Sequence, residues 1–177
     1  MAESIWVSEG PDSHRMVVRT GQALEVLNPE RLPSLDPNIL NGWTIEQIPT
    51  TSPPPLNDRG EVAFLARFSQ DVLGPSYLGL FIAQRDGDLW VAAREGETLE
   101  VRPGEFREAV DFSIHQGSCP ERALDEQGRL AFSARLGLPF APSVQGIFVA
   151  PEPSASRSGL ASLAALAIVA GVLAGRR

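Results

Sequence analysis

The sequence predicts an all-β protein of tandem four-stranded units, either a partial β-propeller-like body or an open β-repeat array, with one transmembrane helix at its C-terminus. Three observations predict it. Two segments recur in the same order at nearly constant spacing. Each is made of short apolar runs separated by glycine turns. The last apolar stretch is uncharged and ends on two arginines. The first two features mark a β-repeat, and the third a membrane span with a cytoplasmic stop.

The repeat is read by aligning the chain on itself. Leu56-Asn-Asp-Arg-Gly60-Glu-Val-Ala-Phe64-Leu-Ala66-Arg-Phe68 matches Leu124-Asp-Glu-Gln-Gly128-Arg-Leu-Ala-Phe132-Ser-Ala134-Arg-Leu136 at a spacing of 68. Gly79-Leu-Phe-Ile-Ala83 matches Gly146-Ile-Phe-Val-Ala150 at 67. A partial copy opens the chain. Ile5-Trp-Val-Ser resembles Leu80-Phe-Ile-Ala, and Met16 to Val26 resembles Leu89 to Val101. The body 1–150 thus divides into a partial unit 1–43, a full unit about 44–109 and a partial unit about 110–150.

Strands follow within the units. Glu61 to Phe68 places Val62, Phe64, Ala66 and Phe68 on one face, as the two-residue strand period requires. Gly79 to Ala83 and Leu89 to Ala93 are apolar runs joined by Arg85-Asp86-Gly87-Asp88, a hairpin turn in which Asp-Gly supplies positive φ. Thr44 to Ile48 and Val110 to Ile114 supply one strand before each Gly60-type turn, which makes about four strands per unit. Asn57 and Gly60, and Asp125 and Gly128, are the repeat-turn residues. The Asn or Asp oxygen accepts from the backbone two residues on, and glycine takes the left-handed position.

These units resemble tandem-repeat proteins of exported bacterial families. Their hallmark is an Asn-x-x-Gly turn, then Ala-Phe-x-Ala on a strand, then a Gly-Ile-Phe strand. Asn57, Gly60, Ala63, Phe64 and Ala66 fit the first copy, and Asp125 stands for the asparagine in the second. The resemblance covers roughly residues 5–150 and implies a repeat architecture without implying a chemistry. Two or three blades do not close a propeller, so open edges are expected unless the chain is part of a longer one or oligomerises.

The tail has its own logic. With Ser158, Gly159 to Gly175 is uncharged for about 18 residues and reaches roughly 27 Å as a helix, the lower edge of a span. Its apolar positions include Gly159, Leu160, Leu163, Leu166, Ile168, Val169, Val172 and Leu173. Arg176 and Arg177 form the positive stop, which would keep the body outside the cytoplasm. Upstream, residues 151–158 hold Pro151-Glu152-Pro153 and a polar spacer. This order resembles the bacterial PEP-CTERM sorting signal. The resemblance covers 151–177. It implies export, transient anchoring through the 159–177 helix, and processing near the motif by an exosortase-type membrane protease, leaving the protein at the cell surface or in an extracellular matrix. Export also calls for an N-terminal signal, and Met1 to Gly10 offers neither a basic region nor an apolar one. The expectation is therefore an N-terminally truncated fragment of a longer repeat protein.

Composition narrows the partners. The chain has no lysine, and 1–150 carries 21 acidic against 12 basic residues, a net of −9. Such a surface repels phosphate backbones, so nucleic acid is not an expected partner. One cysteine, Cys119, excludes an internal disulfide. Its position beside Pro120 reads as a turn or core residue. His14 and His115 are far apart in sequence, without neighbouring Cys or His, so no metal site is expected. Asn57 to Glu61 and Arg85 to Asp88 lack the alternating oxygens of a calcium loop. Ser113, Ser118 and Cys119 lie near His115, but an orienting acid and an oxyanion hole are not legible, and no nucleophile elbow or phosphate loop occurs. Neither catalysis nor a cofactor is expected. Trp6 and Trp90 sit between apolar neighbours, which reads as core. Exposed, they and Trp43 would stack on sugar rings. Pro49 to Pro55 reads as a stiff connector.

The functional expectation is an exported, surface-anchored β-repeat protein, a structural or matrix component without catalysis. The alternative is an extracellular carbohydrate- or protein-binding module of β-propeller type, with a surface polysaccharide or a protein as partner.

Overall fold

The computed structural model describes residues 2–34, 42–49, 53–71, 74–114, 123–138 and 141–150. Among the described residues, ten strands make three antiparallel sheets. β1 (Ser4–Gly10) and β2 (Ser13–Arg19) form a two-stranded sheet. The middle sheet is a meander of β3 (Thr44–Gln47), β4 (Val62–Ser69), β5 (Ser76–Ala83) and β6 (Leu89–Arg94). The last sheet is a second meander of β7 (Thr98–Arg102), β8 (Glu105–Ser113), β9 (Leu130–Leu138) and β10 (Ala141–Ala150). Among the described residues no helix is long and apolar enough to cross a membrane. The 159–177 span lies outside the described residues.

Register repeats from sheet to sheet. Phe64 pairs with Phe81 and Ala66 with Gly79 in the middle sheet; Phe132 pairs with Phe148 and Ala134 with Gly146 in the last. The β1–β2 hairpin repeats β5–β6 at a spacing of 75. Ile5 opposite Val18 and Trp6 opposite Met16 correspond to Leu80 opposite Ala93 and Phe81 opposite Val91. The irregularity falls at the same place, with Val17 and Ala92 as the extra residues. Because side chains alternate with period two, agreement in register means agreement in which face each residue takes.

The sheets stack through those faces. On the middle sheet, Phe64, Ala66, Phe68, Phe81 and Val91 pack with Ile5, Val17 and Val18 of the first sheet. Its opposite face, with Ala63, Leu80, Ile82 and Trp90, packs against Phe112, Phe132 and Phe148 of the last sheet. The middle sheet is therefore buried on both sides, and β4–β6 read as nearly continuous apolar runs. Each four-stranded sheet turns its phenylalanine pair toward the sheet before it. Phe64 stacks on Phe81 at 5.5 Å, and Phe132 on Phe148 at 5.8 Å.

Glycine makes the aromatic layer fit. A Cβ on Gly79 would lie 2.5 Å from the Phe81 ring and 2.9 Å from Phe68. A Cβ on Gly146 would lie 2.9 Å from the Phe148 ring. In both strands the ring two residues on folds back over the bare backbone, filling the gap that a glycine leaves in a strand.

Three details differ from the sequence reading. Val110 to Ser113 of the expected Val110–Ile114 strand form the second half of a longer β8, paired across Pro103-Gly104 with β7, which the sequence pattern does not single out. The break between sheets falls at 95–97, ahead of the 109/110 division. And Trp6, read as core, is exposed, whereas Trp43 and Trp90 are buried. Trp43 sits edge-on to Phe68 and Tyr77.

The segment before β3 shows how a unit begins. Gly21 N–H donates to Ile45 O, and Ile45 N–H to Gln22 O; Gly96 and Ala109 repeat this with Glu97. Residues 22–24 thus line the edge of β3 as β7 lines β8. The spacing is 75 from Gly21 to Gly96 but 64 from Ile45 to Ala109, so the first connection is 11 residues longer. Its start crosses the free edge of β6. Buried Asn28 accepts from Val91 N–H and donates to Val91 O, both at 2.9 Å. One side-chain amide thereby supplies the pairing that a neighbouring strand would have made.

Replacing Gly79 with alanine should cost about 1–3 kcal/mol, the range for overpacking a closed core. Urea denaturation of the wild type and of Gly79→Ala measures it, with Gly42→Ala, where a Cβ meets nothing within 4 Å, as the control.

Candidate functional site

The two repeat turns lie one above the other along one side of the stack, at the starts of β4 and β9. In the first, Asn57 Oδ1 accepts from Arg59 N–H at 3.1 Å and Glu61 N–H at 2.9 Å, and Gly60 takes φ +78°. In the second, Asp125 Oδ1 accepts from Gln127 N–H at 3.0 Å and Arg129 N–H at 2.9 Å, and Gly128 takes φ +78°. The backbone bonds agree as well. Gly60 N–H donates to Asn57 O and Gly128 N–H to Asp125 O, each at 3.0 Å. An Asx turn needs only an acceptor, which both residue types have.

The two residues part company in what else they do. Asn57 also has an NH2 group. It donates to Asp125 O at 2.8 Å, tying the first turn to the second, and to Glu61 Oε2 at 2.6 Å. A carboxylate cannot donate in this way. Asp125 instead holds the Arg129 guanidinium at 2.7 Å. Burial alone would push the Asp125 carboxyl up. Hydrogen bonds from Arg129 and Gln127 and the arginine charge outweigh it and hold the carboxyl below its ordinary value. Arg59 adds a second tie through Glu126 O at 3.4 Å and pairs with Glu61. On the other side, Arg15 of β2 donates to Gly60 O at 2.7 Å. All three sheets are thus joined through this row of turns.

Two cavities flank the row. One, of about 830 Å³, runs between Pro53–Asp58 and Leu124–Gln127. The other, of about 350 Å³, lies beneath Pro54 and Pro55 and is walled by Ile5, Phe64 and Phe112, with Arg67, Asp111 and Ser113 as its polar groups. Those groups are engaged with neighbours. Ser113 Oγ is 2.6 Å from Ser133 Oγ, and Asp111 lies 3.5 Å from Arg135. Arg67 lies 4.0 Å from Glu95. His115, Ser118 and Cys119 lie outside the described residues, as do Pro151, Glu152, Pro153 and the arginines of the tail. Among the described residues no three His, Cys, Asp or Glu side chains converge as metal ligands.

A family profile matches residues 50–157, taking in both turns and all of β4–β10. The chain belongs to a family of unknown function, DUF7453. No curated protein and no solved structure matches it. Within this DUF7453 chain the turn row is the feature that sequence reasoning located best. It missed Asn28 and the Asn57 tie to Asp125. The Asn-Pro pair at 28–29 signals only a turn, and nothing local distinguishes an asparagine that also donates to another sheet.

Two substitutions separate the roles of these turns. Asn57→Asp keeps the acceptor but loses the donor and sets a second carboxylate beside Glu61. It should cost about 1–3 kcal/mol, the penalty for a buried partner left unsatisfied. Asp125→Asn keeps the turn bonds and should cost less. Because the Asp125 carboxyl is held below its ordinary value when folded, its contribution is present above the carboxylate range and is lost as pH falls through it. The stability gap between wild type and Asp125→Asn should therefore close on acidification, as read by urea denaturation at neutral and acid pH.

Proposed function

We propose that this chain is a structural component of a bacterial envelope or extracellular matrix: an exported β-repeat body, of partial propeller or open-array type, carried to the cell surface by a C-terminal sorting tail. The observation that carries the reading is the repetition of register and packing through three sheets. A body of this kind is held by nearest-neighbour stacking and presents extended faces, which suits a scaffold. The order Pro151-Glu152-Pro153, apolar run, Arg176-Arg177 supplies the address. Membrane attachment through the 159–177 helix and processing by an exosortase-type protease belong to the same proposal.

A carbohydrate- or protein-binding module is the second reading. Exposed Trp6 favours it, since a flat aromatic face can stack on a sugar ring. Trp43 and Trp90 are buried and unavailable for such a platform, so the scaffold reading is preferred.

The address is tested by placing residues 1–177 behind a secretion signal in a host with an exosortase and mapping the C-terminus by mass spectrometry. The expected mature protein ends close to the 151–153 motif and lacks Arg177. An intact C-terminus in surface-exposed protein would overturn the sorting proposal.

A further inference from the structure

The two ends of the stack carry complementary halves of the contact that joins its inner sheets. In the middle sheet, Leu80 and Ile82 are fully buried beneath the last sheet. The residues at the same register positions of the last sheet are Ile147 and Val149, and they are 48% and 38% exposed. At the other end, Phe81 and Val91 are fully buried against the first sheet. Their counterparts in the first sheet, Trp6 and Met16, are 57% and 41% exposed. Inside the molecule, a face of the Leu80–Ile82 kind receives a face of the Phe132–Phe148 kind. Among the described residues, each kind of face occurs once more on an outward side, with these apolar side chains exposed.

We propose that a second copy of this chain docks head to tail, its Trp6–Met16 face on the Ile147–Val149 face of the first. The contact continues the packing already used twice within the chain. Charge is compatible with it. Arg19 lies on the Trp6 face, and Asp111 and Glu108, with Arg135, lie on the other. The first sheet brings two strands to the contact, as it does to its contact with the middle sheet, and few of the side chains on the two outward faces are apolar, which suits reversible association. Such an interface is heterologous, using different patches on the two partners, and it propagates as a ring or an open filament. The inference shares with the proposed function only the stacked-sheet architecture. It does not depend on where the protein is delivered.

Sedimentation velocity of the full chain across a concentration series, in detergent that keeps the tail monomeric, is the test. The wild type should form species larger than a dimer as concentration rises. Trp6→Glu and Ile147→Glu each place a charge at an exposed position, so circular dichroism and the melting temperature should stay close to wild type. Each variant alone should shift the association midpoint by about tenfold or more, the loss of one central contact. An equimolar mixture should recover dimers, because each variant retains the half that the other lacks, and growth should stop there. A wild type monomeric at every concentration would overturn the proposal. So would an association midpoint left at the wild-type concentration in either single variant, the result expected for pairing of like faces, for association through the tail, or for the tail covering the 147–149 face. Failure of the mixture to form dimers would overturn it as well.

Discussion

The middle sheet is apolar on both faces, and the rest of the structure depends on that. A sheet with one apolar face needs one cover. A sheet with Phe64 and Phe81 on one side and Leu80, Ile82 and Trp90 on the other needs two. The first sheet supplies one cover and the last sheet the other. Among the described residues, the outward sides of the β1–β2 hairpin and the β7–β10 meander carry fewer apolar side chains, among them Trp6 and Met16 on one and Ile147 and Val149 on the other. The burial of β4, β5 and β6 therefore organises the order of layers, and the hairpins and turns follow from it.

Packing alone would let sheets slide over one another, because apolar contact has little directional preference. The polar ties between layers remove that freedom. Arg15 to Gly60, Asn57 to Asp125 and Arg59 to Glu126 each join a turn or strand of one sheet to a backbone carbonyl of the next. Asn28 does the same work at the sheet edge, where it occupies the ladder positions of Val91. Every one of these bonds reaches a backbone group, a carbonyl in each tie and also the Val91 N–H at Asn28, so the ties depend on the path of the chain more than on which side chain the next sheet carries.

The sequence was informative where one residue type has one job. Glycine at 60 and 128 and an Asx acceptor three residues earlier are local requirements of a turn, and they stand out in a self-alignment. The paired strands β4–β5 and β9–β10 were legible for the same reason, since register preserves spacing. β7 is hard to read although Leu99 and Val101 alternate as a strand should, because Gly96 to Val101 aligns with Gly21 to Val26 and so looks like the end of the preceding hairpin. Trp6 reads as core because its neighbours Ile5 and Val7 are apolar, which looks like core on either side. Its outward direction follows only from knowing which face of β1 the middle sheet covers. Asn28 and the second role of Asn57 depend on chain segments far away in sequence, which no local pattern contains.

The identical registers have a thermodynamic consequence. In a layered molecule whose contacts run only between neighbours, free energy accumulates layer by layer, and opening need not be all-or-none. The first sheet is held by one interface and has two strands, whereas the middle sheet is held by two interfaces and cannot leave without exposing both. Amide protons of β1 and β2 would then exchange through a low-energy partial opening, while those of β4 and β5 would await global unfolding. A single melting temperature would blur these two events, and the gap between them measures how much cooperativity the interlayer ties supply.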